Sequence, residues 1–183
     1  LAAGTISMTQ AALFLLALGL IGLFVLIQLP RLAIYVGLAA APLVVLYPLA
    51  KRVTWFPQFV LGLTFSWGVL LGWAAVAESL PPSSITFIYV GSVFWVFGYD
   101  TIYAIQDMED DRTVGIKSSA LAFDRTIRLG IGAAYLMAIS LIAVGLFLLE
   151  DDGLPPTILG WAGLASMAIH LGMQVHKIRI DNS

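Results

Sequence analysis

Three things are scarce in this sequence: cysteine, histidine and charge. The chain has no cysteine, which excludes disulfides, zinc fingers and thiol catalysis. Its two histidines, His170 and His176, are too few for a histidine-rich metal site. Only 11% of residues are charged, with a formal net charge of -2 and no basic block. This composition argues against a nucleic-acid partner.

Hydrophobic residues dominate what remains. They make up 60% of the 183 residues, and the mean hydropathy is +0.97. An ordinary soluble domain has about 25% charged residues and about 45–50% apolar ones. The composition therefore excludes a soluble globular domain and a disordered chain, and we expect this protein to lie in a lipid bilayer.

The apolar residues form long runs of the length that a bilayer requires. A spanning helix needs about 20 mostly apolar residues, whereas the segments of a membrane β-barrel are about half as long. The sequence therefore predicts an all-α, polytopic transmembrane helix bundle. Its expected spans are 10–29, 32–50, 57–77, 85–105, 127–149 and 157–175.

No internal repeat or domain boundary interrupts these runs. We therefore expect residues 1–183 to form a single transmembrane domain. The chain begins with Leu1 rather than Met, and no cleavable signal precedes the first span. We expect it to be a piece of a longer protein.

The basic residues predict an orientation, because loops rich in Lys and Arg stay in the cytoplasm. Eight of the nine lie in the loops 51–56 and 106–128 or near the C-terminus, and Arg31 is the exception. We therefore expect these segments to be cytoplasmic and the loops 78–84 and 150–156 to face the other side. The expected location is a bacterial inner (plasma) membrane.

Acidic residues are concentrated in one short segment. Five of the 11 lie between Asp100 and Asp111. On one continuous helix, Asp100, Asp107 and Asp111 would form a single stripe. The alternative is a solvated acidic loop, but Asp100 lies in or beside an apolar span, where an ionisable residue indicates function. An EF-hand is excluded because Arg112 stands where its loop needs glycine.

Carboxylates with neighbouring cations, and without His or Cys, favour one kind of ligand. Mg²⁺ prefers hard oxygen ligands, typically one or two carboxylates completed by phosphates, and phosphates also attract Lys and Arg. Lys51 and Arg52 are expected on the same membrane side, and Arg112 and Lys117 follow the acids. The pattern predicts a metal-bridged diphosphate.

Two motifs carry a family resemblance. The segment from Tyr99 to Asp111, followed by Gly-Ile-Lys-Ser-Ser at residues 115–119, resembles the second aspartate-rich motif (DxxxD) of the UbiA-type intramembrane aromatic prenyltransferases. In particular it resembles the 4-hydroxybenzoate polyprenyltransferases of ubiquinone synthesis. The segment 47–52, Tyr-Pro-Leu-Ala-Lys-Arg, resembles the family's YxxxK element, and residues 1–7 resemble the stretch after its first acidic motif.

The chain departs from the family pattern in one respect. The family is similar to a nine-helix bundle with two acidic motifs, and the first, NDxxDxxxD, is absent here. The resemblance therefore implies that the chain is the third to eighth helices of an incomplete prenyltransferase domain. We expect the isolated chain to be inactive.

The resemblance implies transfer of a polyprenyl group from polyprenyl diphosphate to an aromatic acid, with 4-hydroxybenzoate as the expected acceptor and Mg²⁺ between the carboxylates and the diphosphate. Asp107 and Asp111 would be the Mg²⁺ ligands, and Lys51 the diphosphate clamp. The other substrate-binding candidates are Tyr47, Arg52, Asp100, Tyr103, Arg112 and Lys117. For Tyr47 the alternative is an interfacial tyrosine, and for the arginines and Lys117 an ordinary positive-inside charge.

Other functions stay open at this point. The acceptor could be homogentisate, dihydroxynaphthoate or a porphyrin. A transporter or channel subunit also uses intramembrane acids, but would spread them over several helices or the bilayer centre. A phosphatidyl-alcohol transferase needs a D-G pair and a following A-R, and neither accompanies Asp107 and Asp111.

Overall fold

The protein is built from helices. The computed structural model describes residues 6–149, 152 and 158–178. Within this part of the chain there are ten α-helices, one 3₁₀ turn at Asp124–Thr126 and no strand, which confirms the all-α prediction. The helices are α1 (Met8–Leu26), α2 (Arg31–Ala39), α3 (Ala41–Val53), α4 (Pro57–Phe65), α5 (Gly68–Ala77), α6 (Ser83–Ala104), α7 (Met108–Val114), α8 (Ser119–Phe123), α9 (Ile127–Leu148) and α10 (Ile158–Lys177).

Six helical segments of the described chain are long and apolar enough to cross a membrane, which confirms the predicted number. The protein is therefore an integral membrane protein. The predicted bounds differ from the observed ones by a few residues, except that the fifth span also takes in α8. The last predicted span begins at Thr157, which lies outside the described residues. The spans are Met8–Leu26, Arg31–Val53, Pro57–Ala77, Ser83–Ala104, Ser119–Leu148 and Ile158–Lys177.

Three of the spans are divided, and in the fifth the 3₁₀ turn separates α8 from α9. The second changes from α2 to α3 at Ala40, where Pro42 in the first turn of α3 supplies no backbone N–H for the preceding helix. The third changes from α4 to α5 at Ser66 and Trp67. The indole Nε1 of Trp67 donates to the carbonyl oxygen of Val36 at 2.8 Å. This bond holds the junction between α4 and α5 against α2.

The packing centre is the pair α6 and α9, with α4 on another side of α6 and α10 on α9. Close approach here depends on glycine: a Cβ at Gly98 would lie 2.3 Å from a ring carbon of Tyr135. Ile127 and Ile131 of α9 are almost fully buried. In contrast, no residue of α1 is buried by the described part of the chain.

The connections fall into two groups at the two ends of the bundle. At one end, the backbone N–H of Lys117 donates to the carbonyl oxygen of Lys51 at 3.4 Å. At the other end, the hydroxyl of Ser84 hydrogen-bonds to the carboxylate of Asp152. These contacts confirm that the loops 51–56 and 106–128 share one end. Of the loop 150–156, Asp152 alone lies among the described residues.

The segment between the fourth and fifth spans differs from its prediction. We expected a long connection from Gln106 to Arg128, but it contains α7 and α8, and α9 already begins at Ile127. Helix α6 ends at Ala104, one residue before the predicted end, so Asp100 and Asp107 do not lie on one continuous helix. The division places three acids in the first turn of α7. Negative charge is favourable at a helix N-terminus and unfavourable at a C-terminus.

Candidate active site

A polar cleft opens at the end of the bundle where α3, α6 and α7 meet. Its cavity volume is about 80 Å³. The lining residues are Tyr47, Lys51, Gln58, Asp100, Tyr103, Ala104, Asp107, Asp111, Ile116, Lys117 and Ser118. Seven of the nine predicted site residues are among them, and Arg52 and Arg112 are the two that do not line the cleft.

Helix α3 contributes Tyr47 and Lys51. They are four residues apart, so they lie on the same face of the helix, one turn from each other. Arg52 is rotated by about 100° from Lys51, which explains why it does not reach the cleft. The spacing of the YxxxK element therefore presents a hydroxyl and an ammonium group to the same cavity.

Helix α6 contributes Asp100, Tyr103 and Ala104. These residues follow the i, i+3, i+4 spacing of one helix face. Asp100 is half-buried, whereas Tyr103 is 65% exposed. Asp100 is thus the acid that lies deepest in the spanning part of the structure.

Helix α7 contributes Asp107 and Asp111. Asp107 is the N-cap residue, and its carbonyl oxygen accepts from the backbone N–H of Asp111 at 2.8 Å. The side chain of Asp107 makes no capping hydrogen bond, so its carboxylate stays available to the cleft. Asp110 and Arg112 flank Asp111 in sequence, but both are exposed and neither lines the cleft.

The segment after α7 returns to the end of α3. Gly115 has a φ of 76°, a left-handed conformation that favours glycine. Lys117 then places its Nζ 3.3 Å from the carbonyl oxygen of Val53 and 5.7 Å from the centre of the Trp55 ring. An ammonium group has three donors, so Lys117 is anchored beside the cleft with donors left for a ligand.

Four lining residues were not predicted from the sequence: Gln58, Ala104, Ile116 and Ser118. Gln58 is 4% exposed and Ser118 is 3% exposed. One signal was available for Gln58, since it is a polar residue in the first turn of an otherwise apolar helix that begins with Pro57. Ser118 belongs to the Gly-Ile-Lys-Ser-Ser block, whose serines were not weighed as site residues.

The donor set of the cleft fits Mg²⁺ in part. Asp107 and Asp111 offer hard oxygen ligands, and two carboxylates with substrate phosphates are a usual Mg²⁺ environment. Within the described residues, however, no group of three or more acids or histidines is placed to hold a metal ion. The residues present therefore fit a Mg²⁺ ion whose remaining ligands come from a diphosphate or from other residues.

An apolar groove lies beside the polar cleft and shares its α4 wall. Its cavity volume is about 460 Å³. Ring contacts join Phe56 and Phe59 to Phe97, at centroid distances of 6.2 and 6.4 Å. The lining residues are Thr54, Phe56, Phe59, Val60, Phe94 and Phe97.

The acidic motif predicted a helix bundle with acids and lysines together at one end. Comparison with known proteins leads to the same family. The chain belongs to the UbiA prenyltransferase family, whose family model matches residues 1–183. The resemblance stated from the motifs is thereby confirmed.

Individual members of the family are also similar to this chain. The chain is similar to a protein named 4-hydroxybenzoate polyprenyltransferase, mitochondrial, from Rattus norvegicus, with 41% identity over 186 residues, which cover 100% of this chain and 48% of the relative. The proteins of the same name from Drosophila melanogaster and Homo sapiens are 40% and 39% identical, covering 100% and 98% of this chain and 45% and 47% of the relatives. The chain thus spans about half the length of the curated relatives it matches. No solved structure matches.

Proposed function

We propose that the protein containing this chain transfers a polyprenyl group from polyprenyl diphosphate to an aromatic acid, with 4-hydroxybenzoate as the acceptor in ubiquinone synthesis. The observation that carries this proposal is the cleft, which brings Asp107 and Asp111 together with Lys51 and Lys117. The names of relatives at about 40% identity support the choice of acceptor. Residues 1–183 would then belong to one transmembrane prenyltransferase domain.

The lysines of the cleft bind and orient the diphosphate. Lys51 and Lys117 approach the cavity from α3 and from the segment after α7, so they contact the anion from different elements. Charge-assisted hydrogen bonds from ammonium groups to phosphate oxygens are stronger than neutral ones. The hydroxyl of Tyr47, one turn from Lys51, donates a further hydrogen bond to a phosphate oxygen.

Asp107 and Asp111 are the residues that would hold Mg²⁺. When bound there, the ion supplies positive charge that offsets the charge on the departing diphosphate. The chain's own contribution is positional: the i, i+4 spacing on α7 presents both carboxylates to the cavity that the lysines also line. Tyr103 lies in the last turn of α6 and lines the same cleft.

The reaction exchanges one bond to the prenyl group for another. The allylic C–O bond breaks and its electron pair leaves with the diphosphate, which Lys51 and Lys117 retain. The ring carbon beside the phenol hydroxyl forms the new C–C bond and then loses its proton. Asp100 lines the same cleft from within the span, and we assign it either the phenol proton or the orientation of Lys51.

Product formation by the complete protein tests this proposal. The protein that contains this chain is reconstituted in liposomes with a prenyl diphosphate, Mg²⁺ and 4-hydroxybenzoate, in parallel with homogentisate, a dihydroxynaphthoate and a porphyrin. We expect prenylated 4-hydroxybenzoate as the main product, and no product without Mg²⁺. Transfer to another acceptor would correct the substrate, and radiolabelled ion flux without any transfer would favour the transporter instead.

We further propose that the cleft end faces the compartment that retains the basic loops. The bacterial inner membrane stays a prediction, and the relatives' names contain the word mitochondrial. Because the chain lacks cysteine, single cysteines can report the topology. Both Ser83 and Thr113 are exposed. In intact bacterial cells, Ser83→Cys should react with an impermeant thiol reagent and Thr113→Cys should not, and the reverse pattern would overturn the orientation.

A further inference from the structure

One buried polar side chain of the cleft is not explained by the packing of the protein. Gln58 is 4% exposed, yet it lines the polar cavity. Its Oε1 accepts a hydrogen bond from the backbone N–H of Ser119 at 3.1 Å. A buried amide also has an NH₂ group with two donors that need acceptors. The bond to Ser119 does not satisfy these donors.

The bond to Ser119 fixes which way the amide group points. A backbone N–H can only donate, so the oxygen of Gln58 must face Ser119 and the NH₂ group must face away from it. Ser119 is itself held: Oγ1 of Thr101 donates to the carbonyl oxygen of Phe97 at 2.7 Å and accepts from the hydroxyl of Ser119 at 2.6 Å. The orientation of Gln58 is therefore set by the backbone N–H of Ser119, while the side chain of Ser119 ties α8 separately to α6.

The NH₂ group of Gln58 has no hydrogen-bond partner among the described residues, and it keeps access to the cavity. Within the same residues, Ser66 Oγ is the sole buried polar side-chain atom that is both sealed and unpartnered. Nε2 of Gln58 is thus open to the cleft. Its two N–H groups form a preset donor in a cavity that is also lined by Lys51 and Lys117.

We propose that Gln58 is a substrate-binding residue whose NH₂ group donates to a phosphate oxygen of the prenyl diphosphate. This proposal rests on the proposed function of the cleft. A donor that is already oriented and largely buried loses little conformational freedom on binding, which favours affinity. Gln58 would act together with Lys51 and Lys117. The two flexible lysines would supply charge, and the fixed NH₂ group would orient the diphosphate.

The variant Gln58→Glu tests the proposal while keeping the fold. A carboxylate of the same length still accepts from Ser119, but presents an oxygen instead of an NH₂ group to the cleft. In the complete protein, at mildly alkaline pH, we expect the Kd for inorganic pyrophosphate with Mg²⁺, measured by calorimetry, to rise at least about tenfold. The KM for the prenyl diphosphate should rise in parallel, and the KM for 4-hydroxybenzoate should stay within about twofold.

The matched control is Thr101→Val, which removes the side-chain bond between Thr101 and Ser119 but keeps the backbone N–H of Ser119 that orients Gln58. It should lower the melting temperature and leave the Kd for pyrophosphate unchanged. If Gln58→Glu left pyrophosphate binding unchanged, or if both variants weakened it equally, Gln58 would be a structural residue and the proposal would fail. A rise confined to the KM for 4-hydroxybenzoate would also overturn it.

A measurement on the unmodified protein covers the case in which Gln58→Glu does not fold. With ¹⁵N-labelled glutamine, inorganic pyrophosphate with Mg²⁺ should shift one side-chain NH₂ signal, and that signal should persist in Gln106→Ala. No shift would overturn the proposal. Because this readout needs no aromatic acceptor, a wild-type protein that fails to transfer prenyl groups but still shows the shift would contradict the proposed function alone.

Discussion

The two ends of the bundle both carry acids, but they use them differently. At the far end, the carboxylate of Asp152 is paired with the hydroxyl of Ser84. At the cleft end, Asp107 and Asp111 share a cavity with Lys51 and Lys117. Acidic residues at a membrane surface are therefore not a site by themselves. The difference lies in whether the carboxylates are enclosed with cations around a space that an anion can enter.

The same contrast appears within α7 on a scale of one residue. Asp111 lines the cleft, while Asp110 beside it is exposed to solvent. The backbone carbonyl of Asp110 accepts from the hydroxyl of Thr113 at 2.8 Å, which ties it into the helix. Two neighbouring aspartates thus offer a matched pair that tests whether Asp111 acts as a metal ligand or only as a surface charge.

The largest expected effect comes from removing the charge of the cleft acids. In the complete protein, Asp107→Asn and Asp111→Asn should each lower the rate of prenyl transfer at least about a hundredfold, as for other groups that stabilise developing charge. Asparagine keeps the size of the side chain, so folding should be spared. The measurement is kcat/KM, and added Mg²⁺ should restore part of the rate.

Asp110→Asn is the control for this experiment. Its carboxylate does not reach the cleft, so the rate should stay within about twofold of the wild type. Asp151→Asn, in the opposite loop and outside the described residues, should also be near neutral. If Asp110→Asn were as damaging as Asp111→Asn, net charge rather than metal binding would explain the loss.

An intermediate effect is expected from the two basic residues of α3. Lys51 lines the cleft and Arg52 does not, although both were predicted to bind substrate. Lys51→Ala should raise the KM for the prenyl diphosphate about tenfold, because it removes a charge-assisted hydrogen bond. The KM for 4-hydroxybenzoate should change little. An equal effect of Arg52→Ala would show that the positive charge acts at long range rather than through the cleft.

The smallest effect concerns the packing that holds α4 against α6. A Cβ at Gly62 would lie 2.7 Å from the carbonyl oxygen of Val93, whereas a Cβ at Gly72 would meet no atom within 4 Å. Gly62→Ala should therefore destabilise the protein by about 1–3 kcal/mol. Gly72→Ala should be neutral or slightly stabilising, because alanine favours the helix. Thermal unfolding in detergent compares the two, and equal melting temperatures would contradict the tight contact.

Much of the fold could be predicted from hydrophobic run length. The number of spans was correct because each run is close to the thickness of a bilayer. The division of α2 from α3 was missed, although Pro42 was a visible signal. The end of α6 was predicted to within one residue, but α7 was missed, because the acids after α6 were not interpreted as the first turn of a new helix.

The site could be predicted as far as residue chemistry and helical spacing allow. Tyr47 with Lys51, and Asp107 with Asp111, were predicted from the YxxxK and DxxxD motifs, and all four line the cleft because four-residue spacing places each pair on one helix face. Arg52 and Arg112 were included for their charge alone, and the structure turns both away from the cleft. Gln58 was missed because its role depends on a hydrogen bond to Ser119, 61 residues away in sequence.

The most direct test of the account is Mg²⁺-dependent binding of inorganic pyrophosphate to the complete protein. Calorimetry on the wild type, Asp111→Asn and Asp110→Asn needs neither a prenyl chain nor an acceptor. The account predicts tight binding to the wild type and Asp110→Asn only when Mg²⁺ is present, and at least about tenfold weaker binding to Asp111→Asn. Binding that is independent of Mg²⁺, or that is equal in the two variants, would contradict the assignment of the cleft.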